Sequence, residues 1–264
     1  MKTKIQAHLP GDHPWQNHIY WFETIDSTNT RAKEMAAAGA AHGTALIADR
    51  QTGGRGRMGR SFHSPAGSGI YLSVILRPEC SAEKLMHLTC AAAVAAADGI
   101  EKATGLRPGI KWTNDLVVNR RKLGGILTEL SVTASGTVDY AIVGIGINCA
   151  QMAEDFPEEL RSIATSLQLC TNTIPDRAGI IANILIALYD MCEHLQSADV
   201  ILSRYRRHCI TIGQEISLLR GDEIRHSKAL DIDKTGALIV QFSDGHTEMV
   251  NSGEVSIRGM YGYA

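Results

Sequence analysis

The pattern of apolar segments and turn residues changes at residue 211, and this change limits the architectures that the chain can adopt. Before residue 211, apolar strand segments alternate with helical segments, and the strand candidates are 20–23, 45–48, 70–76, 109–112, 116–118, 125–130 and 140–147. After it, turn residues separate five short strands at 216–219, 229–232, 237–242, 247–250 and 255–257. We therefore predict a larger unit over residues 1–210 and a small β-barrel over residues 211–264.

Capping residues delimit the helices of the larger unit. Asp26 or Ser27 precedes an alanine-rich segment that ends at Gly39, and both ends carry residue types typical of helix caps. Ser81 and Gly105 delimit a second, longer helix whose many alanines allow close packing against a sheet. Two more helices are predicted over residues 175–195 and 199–209.

Composition excludes several classes of function. The formal net charge of the 264 residues is −2, so the protein as a whole does not attract nucleic acid or an anionic membrane. No apolar stretch approaches the roughly 20 residues that cross a bilayer, and the N-terminus lacks a secretory signal. The 6 cysteines are scattered without a CxxC pair, which favours reduced thiols. We expect a cytoplasmic protein with no membrane association.

The segment GGRGRMGR, residues 53–60, concentrates positive charge on flexible backbone. Glycines let backbone N–H groups face an anion, and arginines add guanidinium groups that match phosphate or carboxylate oxygens. The segment is neither a Walker A loop nor a GxGxxG turn. The alternative is a solvated segment that binds RNA without specificity, but it is short, unrepeated and placed between strands. These features favour a folded anion site.

Two further motifs carry candidate site residues. Lys111 in KWTND lies near a strand end, where it could stabilise developing negative charge, or it could simply be exposed beside a packed Trp112. Gly144 and Gly146 in GIGIN share one face of a strand and would leave a surface without side chains there. Asn148 follows at the strand end. A bulge or tight helix packing would explain these glycines equally well.

Taken in order, the motifs resemble those of the biotin protein ligase family. They are DSTN (26–29), ADRQTGGRGRMGRSFHSP (48–65), KWTND (111–115), RKLGGILTE (121–129) and GIGIN (144–148), and residues 236–259 resemble the C-terminal SH3-like barrel of the family. The resemblance covers nearly the whole chain. It implies an α+β fold, a mixed β-sheet flanked by helices as in class II aminoacyl-tRNA synthetases, with a catalytic domain over 1–210 and the barrel over 211–264.

The resemblance also implies a reaction. The family activates biotin with ATP to biotinyl-5′-AMP, releasing pyrophosphate, and transfers biotin to a lysine of a biotin carboxyl carrier protein or domain of acetyl-CoA carboxylase or a related carboxylase. Mg²⁺ would neutralise the leaving pyrophosphate, but its ligands cannot be assigned from the sequence. Residues 1–19 are too short for a helix-turn-helix domain, so we expect no DNA binding. A homodimer is possible, since sheet extension is common in the family.

Site residues follow from the matching motifs. The catalytic residues would be Arg55, Arg57 and Lys111. The biotin-binding residues would be Ser27, Thr28, Asn29, Gln51, Gly54, Arg55, Gly56, Arg57, Lys111, Gly144 and Gly146. The residues that bind ATP or the adenylate would be Arg57, Arg60, Phe62, Lys111, Asn114, Lys122 and Asn148. Within this set the resemblance places Phe62 beside the adenine and Asn148 at its hydrogen-bonding edge.

Three positions depart from the family pattern. Met58 occupies a position that is often basic, Thr113 replaces a common proline, and Phe62 replaces a common tryptophan. The nearest rival function is a lipoate ligase, which shares the fold and the adenylate chemistry. A nucleic-acid-binding protein and a biotin sensor without turnover are less consistent with the neutral charge and with the presence of both Arg57 and Lys111.

Overall fold

The architecture is that of a computed structural model, which describes residues 1–251 and 256–259. Its larger unit contains a seven-stranded mixed sheet in the order β1-β2-β3-β7-β6-β5-β4. The strands are β1 (Ile19–Ile25), β2 (Thr44–Gln51), β3 (Gly69–Leu76), β4 (Gly109–Lys111), β5 (Asp115–Val118), β6 (Arg121–Val132) and β7 (Val138–Asn148). Strands β1 and β2 are parallel, and the other neighbouring pairs are antiparallel.

Helices cover the sheet. They are α1 (Lys2–His8), α2 (Thr28–Ala37), α3 (Leu88–Thr104), α4 (Leu167–Thr171), α5 (Arg177–Glu193) and α6 (Ala198–His208). Six alanines of α3 are fully buried between the sheet and α5: Ala91, Ala92, Ala93, Ala95, Ala96 and Ala97. Gly99 is required at this contact, because an added Cβ would lie 2.6 Å from the backbone nitrogen of Ile184. Helices α3 and α5 thereby pack with their backbones close together.

The C-terminal unit is a five-stranded antiparallel sheet in the order β11-β10-β9-β8-β12. Its strands are β8 (Glu215–Arg220), β9 (Glu223–Ile232), β10 (Leu238–Gln241), β11 (Thr247–Val250) and β12 (Ser256–Gly259). It joins the larger unit beside β4, where the indole Nε1 of Trp112 donates to the carbonyl of Gly236 at 2.9 Å and the Trp112 backbone N–H donates to Thr211 Oγ1 at 2.9 Å.

The predicted α+β class is confirmed, and most elements lie where the sequence indicated them. Ser27 caps α2 by accepting from the Thr30 N–H, and Gly105 ends α3 in the left-handed region with φ 74°. The predicted helix from Ser81 is interrupted: residues 82–85 form a 3₁₀ turn, and α3 starts only at Leu88. Of the last predicted strand, 255–257, residue 255 lies outside the described residues.

Helix α1 was missed. Its seven residues bury Ile5 alone, so the sequence carries little of the periodicity that predicts a helix. Tertiary contacts with α5 hold it in place, and His8 Nε2 lies 3.0 Å from the carboxylate of Asp176. Among the helices of the described residues, none is long and apolar enough to cross a membrane.

Candidate active site

A cavity of about 770 Å³ opens where the start of α2, the glycine-arginine loop (residues 53–60) and strands β3 to β7 converge. Most of the predicted site residues line it: Ser27, Thr28, Asn29, Gln51, Arg55, Gly56, Arg57, Arg60, Phe62, Lys111, Asn114, Lys122, Gly144 and Gly146. They come from segments that are far apart in sequence. The fold therefore assembles the five motifs into one site.

One end of the cavity is a network of neutral polar groups at the start of α2. Gln51 Oε1 accepts from the Thr28 backbone N–H at 2.8 Å and lies 3.1 Å from Thr28 Oγ1. Gln51 Nε2 donates to Ser64 Oγ at 3.0 Å. The hydroxyl of Ser27 accepts from the Thr30 N–H as the helix cap. This end can recognise a small polar group with its own donors and acceptors.

The wall beside this network requires glycine. A Cβ on Gly144 would lie 2.1 Å from Asn29 Oδ1, and one on Gly146 would lie 2.8 Å from the ring of Phe62. Side chains from other segments therefore occupy the space that residues 144 and 146 leave free. Phe62 also meets Tyr71 edge to face, with ring centroids 6.3 Å apart. The structure thus places Phe62 on the glycine wall that the sequence assigned to biotin.

The glycine-arginine loop folds back on itself above the cavity. The Gly56 N–H donates to the Arg60 carbonyl at 2.7 Å, and residues 55 and 61 form an antiparallel bridge. Met58 and Gly59 adopt positive φ angles of 55° and 73°, which tightens the turn between them. Glycine supplies one of these conformations without strain.

Arg57 anchors the loop to the opposite side of the cavity. Its Nη1 donates to Asn114 Oδ1 at 2.7 Å, and Asn114 Nδ2 donates to the Ile126 carbonyl on β6. Burial lowers the pKa of Arg57, partly offset by the negative charge of Asp115. An arginine pKa is so high that the side chain stays cationic at neutral pH. A partly buried cation of this kind favours an anionic ligand.

Lys111 lies at the end of β4 and is only 6% exposed. The peptide bond between Trp112 and Thr113, directly after it, is cis. Near this strand end, Lys122 Nζ lies 2.7 Å from Asp115 Oδ1. Arg57, Lys111 and Lys122 thus bring positive charge to one part of the cavity, where it can stabilise negative charge that develops during a reaction.

Two predicted residues lie behind the cavity wall. Asn148 is buried, its Nδ2 donates to the Thr165 carbonyl at 3.0 Å, and its Oδ1 lies 3.4 Å from Gln151 Nε2. Gly54 belongs to the glycine-arginine loop, and an added Cβ there would approach the Phe62 carbonyl to 2.4 Å. Neither is among the lining residues. Gly54 supports a lining residue, because its carbonyl accepts from the Phe62 N–H at 2.9 Å.

Other lining residues had not been assigned to the site from the sequence. They are Met58, Ser61, Tyr71, Leu72, Trp112, Asp115, Gly125, Ile126, Leu127, Ile145, Ser162, Ile163 and Ile257. From the sequence, Asp115 in KWTND is only a weak candidate for a metal or ribose contact. Gly125 lies within RKLGGILTE, so a closer interpretation of that motif could have included it. Ser162 and Ile257 carry no local signal, because long-range packing alone brings them to the cavity.

Glu129 is a further charged residue beside the site. Its carboxylate accepts from Asn29 Nδ2 and from Lys33 Nζ, each at 2.9 Å, and lies 3.3 Å from Arg55 Nη1. Burial raises its pKa, but the bonds from Lys33 and Asn29 and the charge of Arg55 outweigh burial, and the net pKa is lowered. Glu129 is therefore ionised at neutral pH.

Within the described residues, no group of three or more His, Cys, Asp or Glu side chains could hold a metal ion. The class of site is defined by three features of the cavity: a polar end, a wall of glycines and a cluster of cations. It is a pocket for a small molecule that carries a polar head and a carboxylate or phosphate group.

Comparison with known proteins agrees with this class. Residues 21–148 match the model of the biotin/lipoate A/B protein ligase family, and residues 211–258 match that of the biotin protein ligase C-terminal domain. The bifunctional ligase/repressor BirA of Bacillus spizizenii is 40% identical over 232 residues, which are 86% of this chain and 70% of the relative.

Two further relatives extend the comparison. The biotin–[acetyl-CoA-carboxylase] ligase of Mycobacterium tuberculosis is 34% identical over 236 residues, 87% of this chain and 85% of the relative. The solved structure of the biotin protein ligase from Aquifex aeolicus in complex with biotin and ATP has a TM-score of 0.78 and 30% identity, covering 92% of this chain and 99% of that one. The chain belongs to the biotin protein ligase family.

Proposed function

We propose that this protein is a biotin protein ligase that activates biotin with ATP and transfers it to a lysine of a carrier protein. The observation that carries the proposal is one cavity that joins an uncharged hydrogen-bonding end to the cations of Arg57 and Lys111. Biotin has the matching polarity, with a neutral ureido group at one end and a carboxylate at the other.

In the first step, a biotin carboxylate oxygen attacks the α-phosphorus of ATP. The bond between the α-phosphorus and the bridging oxygen breaks, and pyrophosphate leaves with the electron pair. The two reacting groups are anions, so the guanidinium of Arg57 and the ammonium of Lys111 offset their repulsion and stabilise the transition state. Arg55, Arg60 and Lys122 add positive charge around the phosphates.

In the second step, the carrier lysine attacks the acyl carbon of biotinyl-5′-AMP as a free amine. An amide forms, the acyl–oxygen bond breaks, and AMP leaves with its phosphate next to the same cations. The lysine loses one proton to solvent. The loop over the cavity would shield the anhydride from water until the carrier arrives.

Mg²⁺ belongs to this proposal as part of the nucleotide substrate. Among the described residues that line the cavity, only Asp115 carries a carboxylate. It forms an ion pair with Lys122. Because Mg²⁺ binds with few protein carboxylates when phosphates supply the remaining ligands, this donor set fits an ion that enters with ATP. It would neutralise charge on the pyrophosphate.

The partner and location follow from the same proposal. The acceptor is a biotin carboxyl carrier protein or domain of acetyl-CoA carboxylase or a related carboxylase, and the reaction takes place in the cytoplasm. Residues 1–210 act as the catalytic domain and residues 211–264 as the C-terminal domain. We assign no role in DNA binding.

A homodimer would form along β6. After Gly125, one edge of this strand pairs with β7, and the other edge pairs with no strand of the described residues. In this part of the strand, Leu130 and Val132 are 42% and 46% exposed. An unpaired edge of this kind can add a strand from a second copy. Analytical ultracentrifugation should show association that substitution of Leu130 by lysine weakens.

Biotin-dependent exchange of pyrophosphate into ATP tests the proposed activity. Exchange should occur with biotin and be absent, or far slower, with lipoate, because a dithiolane ring offers nothing for Thr28 and Gln51 to bond. The match of residues 211–258 to the biotin ligase C-terminal domain also favours biotin. Exchange with lipoate and none with biotin would show that the chain is a lipoate ligase.

A further inference from the structure

We infer that Tyr205 is a positioning residue for the adenylation step, because its hydroxyl holds the Thr113 carbonyl and the adjoining Asn114 in turn holds Arg57 at the cavity. The inference rests on the proposed function, since the role that it assigns belongs to that reaction. Tyr205 lies on α6, outside the five motifs, and does not line the cavity.

The hydroxyl of Tyr205 is the donor at this contact. Tyr205 Oη lies 3.1 Å from the carbonyl oxygen of Thr113, and a carbonyl can only accept. The side chain of Tyr205 is fully buried, and this burial raises the pKa of its hydroxyl well above the ordinary value. The hydroxyl therefore keeps its proton at neutral pH, and a permanent donor faces the turn between β4 and β5.

Helix α6 is itself held from two sides next to Tyr205. Arg204 forms an ion pair with Asp98 of α3. Arg206 Nε donates to Asp231 Oδ1 of β9 at 2.9 Å. The residues on either side of Tyr205 thus bond to the larger unit and to the C-terminal sheet. The position of the hydroxyl is fixed by both.

The carbonyl that Tyr205 holds belongs to the peptide group that leads into Asn114. A peptide group is planar, so a bond to the Thr113 oxygen also fixes the plane from which Asn114 continues. From the other side, the Ile126 N–H donates to the Asn114 carbonyl at 2.8 Å, and Asn114 Nδ2 donates to the Ile126 carbonyl at 3.0 Å. Asn114 is therefore held between α6 and β6.

Asn114 transmits this position to Arg57. Because its amide nitrogen is used by Ile126, its amide oxygen faces the guanidinium, and Asn114 Oδ1 accepts from Arg57 Nη1 at 2.7 Å. A bond from a charged donor is stronger than one between neutral groups. A shift of the peptide before Asn114 would therefore move the cation, and a misplacement of about 1 Å in a reacting complex can cost roughly a hundredfold in rate.

Tyr205→Phe tests the inference, since it removes the hydroxyl and keeps the ring. In single-turnover formation of biotinyl-5′-AMP at saturating biotin and ATP, the rate constant should fall about tenfold, as for loss of one oriented hydrogen bond. The amplitude should not change, because the variant stays folded. Tyr189→Phe is the matched control on α5, where the ring packs edge to face on Trp15 with centroids 5.5 Å apart. It should change neither quantity.

Asn114→Ala separates this role from a merely structural one. It removes the link between the held peptide and Arg57, so it should also lower the rate constant. Addition of Tyr205→Phe to this variant should then lower the rate constant by less than about twofold, because both changes interrupt one chain of bonds.

Trypsin cleavage without substrates gives a measurement that does not depend on catalysis. Cleavage after Arg57 should be at least about threefold faster in Tyr205→Phe and in Asn114→Ala than in the wild type, because a loop with a weaker anchor opens more often. Cleavage after Arg220 should keep the wild-type rate. In Tyr189→Phe both rates should equal those of the wild type.

An unchanged rate constant in Tyr205→Phe would overturn the inference, as would effects that multiply in the double variant. A reduced amplitude, or equal acceleration of cleavage after Arg57 and Arg220, would indicate general destabilisation and would also overturn it. A wild-type protein that forms no biotinyl-5′-AMP would instead refute the proposed function. The ratio of the two cleavage rates would still show whether Tyr205 positions Arg57, so the two failures are distinguishable.

Discussion

At the scale of single residues, Lys111 combines deep burial with a charge that the proposed chemistry requires. An ammonium group that is 6% exposed loses most of its hydration, which is costly unless anions or dipoles replace it. Carboxylate and α-phosphate oxygens of the two substrates would do so in the reacting complex. We therefore expect the contribution of Lys111 to be concentrated in the transition state.

Lys111→Ala should reduce kcat/KM for biotin-dependent exchange by at least about a hundredfold, a typical effect of removing one stabilising group from a developing charge. Lys102→Ala is the control, since Lys102 is exposed on α3. Circular dichroism should show that both variants are folded. Full activity of Lys111→Ala would refute the role given to this lysine.

The site requires glycine at position 144, where a hydrogen atom takes the place of a side chain. An added methyl group would lie 2.1 Å from Asn29 Oδ1, so either the strand or Asn29 must move. Gly144→Ala should destabilise the protein by about 1–3 kcal/mol, as for overpacking, and should weaken biotin binding. Urea unfolding and calorimetry measure the two effects. Gly11→Ala, where an added Cβ meets nothing within 4 Å, should change neither.

At the scale of elements, the arginines of the glycine-arginine loop link it to other parts of the protein. Arg57 reaches Asn114, and Arg55 reaches Glu129, but the glycines between them give the segment a large conformational entropy to lose. Anionic ligands would add contacts to the same arginines. The loop is therefore the element whose order should depend most strongly on substrates.

Biotin together with ATP should slow trypsin cleavage after Arg55, Arg57 and Arg60 by at least about tenfold, because a closed loop is a poor protease substrate. Cleavage after Arg220, exposed at the turn between β8 and β9, should proceed at the same rate with and without ligands. Mass spectrometry of the fragments separates the two sites. Equal protection of the loop in both conditions would exclude closure on ligand binding.

At the scale of the whole molecule, the C-terminal unit supports the catalytic cavity directly. Trp112 follows Lys111 and bonds to Gly236 and Thr211, and Ile257 of β12 lines the cavity. The position of the strand end that carries Lys111 thus depends on both units. Through this contact the C-terminal sheet helps to hold the site in place, independently of any part that it plays in binding the carrier protein.

Histidines whose pKa is lowered in the folded protein make its stability depend on pH. Burial lowers the pKa of His13, His42 and His87 below the ordinary value of 6.5, and the bond of His87 to the Leu195 carbonyl offsets only part of this. As the pH falls through 6.5, the unfolded chain binds protons that the folded protein does not, so the free energy of unfolding decreases. On His246, which is exposed, bonds to Asp244 and Glu248 raise the pKa and act in the opposite sense.

The melting temperature should therefore fall between pH 7 and pH 5, and His87→Gln should flatten this fall because it removes one of the buried titrating groups. Gly11→Ala, which removes no titrating group, should leave the slope unchanged. Thermal melts at several pH values provide the measurement. A slope that is the same in His87→Gln and in the wild type would contradict the assignment.

The amino-acid sequence by itself determined the local features of this protein. Ser27 and Gly105 delimit helices through capping chemistry that acts within one turn. The ordered motifs indicated the family, and the family indicated the fold, the reaction and most of the residues that line the cavity. The sequence did not predict helix α1 or the start of α3 at Leu88. In both places the local preference for or against a helix is weak, and packing against other elements outweighs it.

Only the tertiary structure decided which polar side chains face a ligand and which bond within the protein. Asn29 and Glu129 are 100 positions apart in the chain, yet Asn29 donates to the Glu129 carboxylate beside the cavity. Asn148 belongs to a recognised motif but donates to Thr165 behind the wall. A hydrogen-bonding group has a fixed chemistry in the sequence, but its partner is set by long-range packing, and the partner determines its function.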